Sequence, residues 1–194
     1  MASTNNIQSK SDLAGVLVSL RAGAIYDLFG QIHLHNFFKE IAAGRANGNE
    51  LIAELPEGKM TLSEFADKLN AMSGHALLET KRNANRALTR NLFKETVRLT
   101  RSYYESSSQT GELKANDWYE FARFVSNSLS HDFRLNFNKH DRDRLPVSYH
   151  GVTIDEGMDG EPLSMQLEIL IRLVDEIIGF VETSASSEGV IVYP

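Results

Sequence analysis

The amino-acid sequence predicts an all-α fold, an antiparallel bundle of about five helices with a small β-hairpin before the last helix. Three observations predict it. Apolar residues recur at i, i+3, i+4 and i+7 through five stretches of the chain. Segments rich in Gly, Ser, Asn or Pro separate those stretches. A β-like pattern of alternation is confined to Val147–Ile154.

Residues 1–9 are polar and read as a flexible N-terminus. From Ser11 a helix carries Leu13, Leu17, Leu20, Ala24 and Leu28 on one stripe. Gly30 is a point of bending or interruption. Ile32, Phe37, Phe38 and Ile41 then extend the pattern to Gly44, a C-terminal stop. Residues 44–59 read as a loop with a turn of helix at Glu50–Leu55. Thr61-Leu-Ser-Glu64 has the form of a capping box. The helix behind it is expected to bury Leu62, Phe65, Leu69 and Met72 and to stop at Gly74.

The longest pattern runs from His75 to about Tyr104, with Leu77, Ala84, Leu88, Leu92, Leu99 and Tyr103 on its apolar side. A Ser/Gly-rich turn over residues 105–115 leads to Asn116, the expected N-cap of the central helix. That helix runs to Phe133, and Trp118, Phe121, Ala122, Val125, Leu129 and Phe133 form its core face. Asn138–Arg144 reads as a solvated, charged loop. Val147–Tyr149 and Val152–Ile154 read as a hairpin joined by His150-Gly151. The last helix spans Leu163 to Thr183, with Leu167, Leu170, Ile171, Val174, Ile177, Ile178 and Val181 inward. The helical domain therefore covers 10–183, and 184–194 is a tail that is disordered or adds to a sheet edge.

At 194 residues the chain fits one domain, and its 42% apolar content suffices for a core. With no cysteine it has no disulfide, thiolate chemistry or Cys-ligated metal. No apolar run looks long enough to cross a bilayer, and the start lacks the pattern of a secretory signal. A cytoplasmic location without membrane contact is the expectation. The formal net charge of −6 argues against indiscriminate nucleic-acid binding. Its distribution is uneven, however. Residues 81–144 carry 13 Lys/Arg against 8 Asp/Glu, whereas the rest carries 7 against 18.

Two side-chain rows follow from helical spacing. Arg82, Arg86, Arg90, Lys94 and Arg98 succeed one another every four residues, a pattern suited either to RNA phosphates or to a solvated face. Arg123, Asn127 and His131 do the same on the polar side of the central helix. A guanidinium, an amide and an imidazole in one row can hold a phosphate and move a proton, though any amphipathic helix carries polar residues there. His33 and His35 are two apart and point about 160° apart on a helix, so they make a poor chelate. No Gly-rich phosphate loop or nucleophile elbow is present. No metal and no cofactor are expected.

The stretch Phe124-Val-Ser-Asn-Ser-Leu-Ser-His-Asp-Phe133, on the penultimate helix of an all-α chain, resembles the HEPN superfamily (higher eukaryotes and prokaryotes nucleotide-binding). The continuation through Leu145-Pro-Val-Ser-Tyr149 and Gly151-Val-Thr-Ile154 is similar to an elaboration in bacterial HEPN-like proteins. The resemblance covers roughly residues 75–183. Its motif is an Arg, often followed by Asn, with a His four to six residues after the Arg. It implies a homodimer whose facing motifs cut RNA without metal, in a toxin–antitoxin or phage-defence system, with an antitoxin or other protein as further partner. His131 would be the acid/base and Asn127 the orienting amide. Ser126 stands where the motif Arg belongs, so Arg123 or Arg134 would have to bind phosphate. Arg134 joins Arg82, Arg86, Arg90 and Lys94 as an expected RNA contact. The alternative is a non-catalytic RNA-binding or protein-interaction module on the same frame.

Overall fold

The computed structural model describes residues 7–49, 52–55 and 58–188. Among these residues there are seven α-helices: α1 (Lys10–Ala42), α2 (Leu62–Asn70), α3 (Gly74–Ser106), α4 (Thr110–Lys114), α5 (Trp118–Ser130), α6 (Lys139–Arg142) and α7 (Leu167–Glu188). Two antiparallel pairs, β1 (Ile52–Leu55) with β2 (Gly58–Thr61) and β3 (Val147–Tyr149) with β4 (Val152–Ile154), are the only sheets among them. The chain is thus mainly α-helical, as its periodicity predicts. It divides into two compact units. The first holds the residues up to Ala22 and those from Thr89 onward, and the second holds Gly23–Leu88.

The first unit contains nearly all the buried apolar side chains. Leu13 and Leu17 of α1, Phe93 of α3, Phe121 and Val125 of α5, and Ile177 of α7 are almost fully removed from water. Burying a side chain of this size contributes about 1.5–3 kcal/mol. The predicted core face of α5 is therefore correct from Trp118 to Leu129. Polar ties fix the ends of these helices. Lys10 lies 3.2 Å from Glu112 Oε2, and the Ser184 hydroxyl donates to Glu112 Oε1 at 2.9 Å. Arg21 of α1 pairs with Asp175 of α7. The bond from Ser184 corrects the last boundary. Residues 184–188 continue α7, because Ser184 is buried against Glu112, and residues 189–194 lie outside the described chain. The start moves too: α7 begins at Leu167, itself exposed.

The expectation that no apolar run is long enough to cross a bilayer needs correction. Helix α1 is long and apolar enough, by length and composition, to cross a bilayer. Arg21 and Asp27 interrupt the apolar run in the sequence, but a 33-residue helix accommodates both. Its first turns belong to a folded core, since Leu13, Ala14 and Leu17 are buried.

In the second unit α1 runs through Gly30 without a break, a glycine inside a helix costing only about 1 kcal/mol. It ends as expected at Gly44, whose φ of 68° is in the left-handed region that glycine adopts freely. The turn of helix expected at Glu50–Leu55 is not found over its described part. Ile52–Leu55 is a strand, paired from Ile52 opposite Thr61 to Leu55 opposite Gly58. Glu50 and Leu51 lie outside the described residues. The capping box is present. Thr61 Oγ1 accepts from the Glu64 amide at 3.1 Å, and Glu64 accepts from the Thr61 amide at 2.8 Å. Gly74 opens α3 and does not close α2, which ends at Asn70. Phe65 and Met72, expected inside, are exposed, and Ala66 is the buried residue of α2.

Between α5 and α7 the first unit makes a backbone clasp. The chain leaves α5 at Ser130, short of the expected Phe133. Asp132 and Phe133 then take φ of 54° and 62°, turning the chain sharply. The reason is tertiary. The Leu135 amide donates to Glu161 O at 2.9 Å, Gly160 to Leu135 O at 2.8 Å and Leu163 to Phe133 O at 2.6 Å, so residues 133–135 pair with 160–163. Asn116 does not cap α5 either. Its side-chain amide donates to Glu112 O and Leu113 O, closing α4, and Asp117 is the residue before α5.

The predicted hairpin is present in the predicted register, with Tyr149 opposite Val152 and positive φ at both His150 and Gly151. The peptide bond before Pro146 is cis. The Tyr149 ring lies 5.3 Å from that of Phe121, and its hydroxyl donates to Glu176 Oε2 at 2.5 Å. Burial first, and then the negative charge of Glu176, hold the Tyr149 phenol well above the usual tyrosine range. The unfolded phenol ionises near pH 10 while the folded one stays protonated. Stability from this contact is therefore complete below pH 10 and declines as the pH rises beyond it. Urea midpoints measured from pH 9 to 11 should fall, and Tyr149→Phe should flatten that fall. An equally steep fall in the variant would assign the loss to other groups.

Candidate functional site

Each candidate side chain of α5 has a different setting. Arg123 is engaged within its own chain, with a side chain only 16% exposed. Its Nε donates to Glu120 Oε2 at 2.8 Å and its Nη1 to Asp141 Oδ1 at 2.6 Å. The guanidinium lies 4.4 Å from the Phe124 ring centroid, and Arg144 pairs with the other oxygen of Glu120. Burial alone would raise the Asp141 carboxyl, but the Asn138 amide and the Arg123 guanidinium overcome it and hold it below the usual carboxylate range. Arg123 is likewise raised: burial disfavours its charge, and Glu120 and Asp141 more than restore it.

This cluster corrects the reading of Asn138–Arg144 as a solvated loop. Asn138 caps α6 with a reciprocal bond to Asp141, whose side chain is 3% exposed. Two guanidinia and two carboxylates cancel, so the cluster offers no net positive charge to a phosphate. One Arg123 nitrogen, Nη2, is buried without a hydrogen-bond partner.

Asn127 is half-buried in the last turns of α5. His131 is exposed and is the residue where that helix ends, its amide donating to Ser128 O at 2.9 Å. Arg134 donates to Gly160 O at 2.9 Å and so supports the clasp. Arg90 lies 3.5 Å from Asp132 and 5.2 Å from the centroid of the Phe133 ring, bracing the same turn. Among the described residues no three His, Cys, Asp or Glu side chains converge on a point that would hold a metal.

The basic row of α3 is not a single face. Residues spaced strictly by four advance about 40° beyond each full turn, so Arg82 and Arg98 are about 160° apart around the helix. Arg82 and Arg86 belong to the second unit, and Arg90, Lys94 and Arg98 to the first. Arg82 also pairs with Glu79 at 2.8 Å.

A straight stripe alternates steps of four and three, and one exists. Lys94, Arg98, Arg101 and Glu105 follow that rule, and together with Glu95, Val97 and Ser102 they line a groove of about 300 Å³. Its remaining lining residue is Ser126 of α5. Arg98 is held by Glu95 at 2.6 Å and Arg101 by Glu105 at 3.2 Å. Arg101 did not enter the sequence expectations because the four-residue count steps past it. A count that alternates three and four would have found it. Ser126 of α5 thus faces cations supplied by another helix. No family model, curated protein or solved structure matches the chain.

Proposed function

We propose that the protein is a non-catalytic RNA-binding module built on a HEPN-like antiparallel bundle, holding the phosphate backbone in the groove between α3 and α5. The groove carries this reading. Lys94, Arg98 and Arg101 present three cations along one wall, with the Ser102 and Ser126 side chains beside them. Their partners Glu95 and Glu105 are largely exposed, and ion pairs of that kind contribute at most about 1 kcal/mol. A phosphate can displace them at little cost. At about 300 Å³ the groove is at the lower end of the range of ligand sites. The net charge of −6 over the whole chain discourages indiscriminate binding outside it.

The endoribonuclease reading keeps one supporting observation: His131 is exposed at the end of α5, open to a substrate. Of its two candidate phosphate ligands, Arg123 is occupied by Glu120 and Asp141, and Arg134 donates to Gly160 O. For this reason the binding reading ranks first.

Affinity for a single-stranded RNA should fall steeply with salt. Replacing Lys94 and Arg98 by Gln should flatten the slope of log affinity against log salt by about 1.4, about 0.7 for each lost phosphate contact. The same change at Arg82 and Arg86 should leave it within about 0.3 of wild type. No binding at low salt, or equal effects from the two pairs, would reject the groove.

A further inference from the structure

The groove between α3 and α5 has two features that a continuous phosphate track lacks. The first is an acidic end. Extending the stripe of Lys94, Arg98 and Arg101 by the same alternating rule gives Glu105 toward the C-terminus, and Asn91 and Ala87 toward the N-terminus. The cations are therefore confined to about 10.5 Å of helix axis, and a carboxylate shuts one end. Helix α3 stops one residue later, at Ser106, where the negative pole of the helix also repels a further phosphate. The second feature is a pair of uncommitted hydroxyls. On α3 and α5 the hydroxyls of Ser106, Ser128 and Ser130 each donate to a carbonyl of their own helix. Those of the groove serines, Ser102 and Ser126, make no such bond among the described residues. The two groove acids differ as well. Glu95 holds Arg98 through both its oxygens, at 3.2 and 2.6 Å. Glu105 holds Arg101 through Oε1 alone, at 3.2 Å, and is largely exposed, so its Oε2 is open to a ligand.

We infer that the groove seats the 3′-terminal nucleotide of an RNA, with its phosphodiester on Lys94, Arg98 and Arg101 and its terminal 2′,3′-diol on Glu105. This rests on the RNA-binding reading and names the part of the RNA that is held. An ionised carboxylate only accepts hydrogen bonds, so it suits sugar hydroxyls, which donate, and rejects a phosphate. Glu105 lies four residues beyond Arg101, about 6 Å along the axis and within the length of one nucleotide. When the phosphate takes Arg101, both oxygens of Glu105 are released. A 3′ end presents two adjacent hydroxyls to them, whereas a 5′ end has one. The Ser102 and Ser126 hydroxyls are placed to donate to the same phosphate. Charge agrees. Three cations and two carboxylates leave the groove a net +1, which matches one phosphodiester better than a doubly charged terminal phosphate. No aromatic ring is among the lining residues, so the end is held by its sugar and phosphate and not by base stacking.

Competition binding at one low salt concentration tests this with a single RNA sequence in four forms. Single-stranded RNA with a free 2′,3′-diol should bind at least about tenfold tighter than the same RNA with a 3′-phosphate, with a 2′,3′-dideoxy end or closed into a circle. Changing its 5′ end from hydroxyl to phosphate should leave the affinity unchanged. Glu105→Ala should bring the four forms to within about threefold of one another while keeping the helical circular dichroism. The comparison of RNA forms needs no variant, so it decides the matter whatever the fold of Glu105→Ala. Equal affinity for the diol, dideoxy and circular forms overturns the proposal, as does a preference that survives in folded Glu105→Ala. In that event a shallower salt slope on circular RNA after Lys94 and Arg98 are replaced by Gln leaves the RNA-binding reading standing, and no binding of any form removes both.

Discussion

Arg123→Ala is expected to lower unfolding stability by about 3–5 kcal/mol, the usual cost of removing one partner from a buried ion pair. The variant would leave Asp141 with a 3% exposed side chain and without its guanidinium. The Asn138 amide, 3.0 Å away, would be its remaining strong donor in the cluster. Arg123→Lys should lose less, since an ammonium can reach one carboxylate but cannot bridge Glu120 and Asp141 as a planar fork does. The pH dependence has a fixed sign. The Asp141 carboxyl is depressed in the folded chain, so its contribution is complete above its unfolded value of about 3.8. It disappears as the pH falls through the lower folded value. Urea titrations at pH 7 and pH 3 should therefore show Arg123→Ala and wild type converging in acid. Unchanged stability in Arg123→Ala, together with lost RNA cleavage, would return Arg123 to the role of phosphate ligand.

The second large effect is expected at Ser126. In the groove, Ser126→Arg would place a fourth cation opposite Lys94, Arg98 and Arg101. On the binding reading, affinity for single-stranded RNA rises up to about tenfold at low salt, the salt slope steepens by about 0.7, and the RNA stays intact. On the nuclease reading, the new guanidinium restores a transition-state donor of a kind whose loss commonly costs about 10²–10³-fold. Metal-independent cleavage would then rise by a comparable factor, unaffected by EDTA, and His131→Ala in the same chain would abolish the gain. Gel electrophoresis of a labelled RNA separates the two outcomes in one experiment.

What was legible in the sequence was local. Thr61 and Glu64 are three residues apart, and their reciprocal bonds follow from the first turn of any helix that begins there. His150-Gly151 supplies the two positive φ values that a two-residue hairpin needs. The core face of α5 needed only its period. Partners 18 or 30 residues apart were not legible. Nothing near Asp141 announces that it turns inward to Arg123, and nothing in Phe133 shows that its carbonyl will accept from the Leu163 amide and end α5 early. The groove fell between these cases. Its basic wall was present in the sequence as Lys94, Arg98 and Arg101, but a uniform step of four winds around the helix and missed it. Its other wall, Ser126, is brought there only by the packing of α5 against α3.

The clasp between residues 133–135 and 160–163 has a consequence for the history of this chain. It joins the exit of α5 to the approach to α7, so the excursion between them hangs from a neck that is already closed. Arg123–Asp141 and Tyr149–Glu176 anchor that excursion along its length, leaving the His150-Gly151 tip as its unanchored point. Each doubling of a loop adds only about 0.6 kcal/mol of closure cost. Descendants of a common ancestor could therefore lengthen the chain between Tyr149 and Val152 with little penalty, and insertions should accumulate there while the neck keeps its spacing.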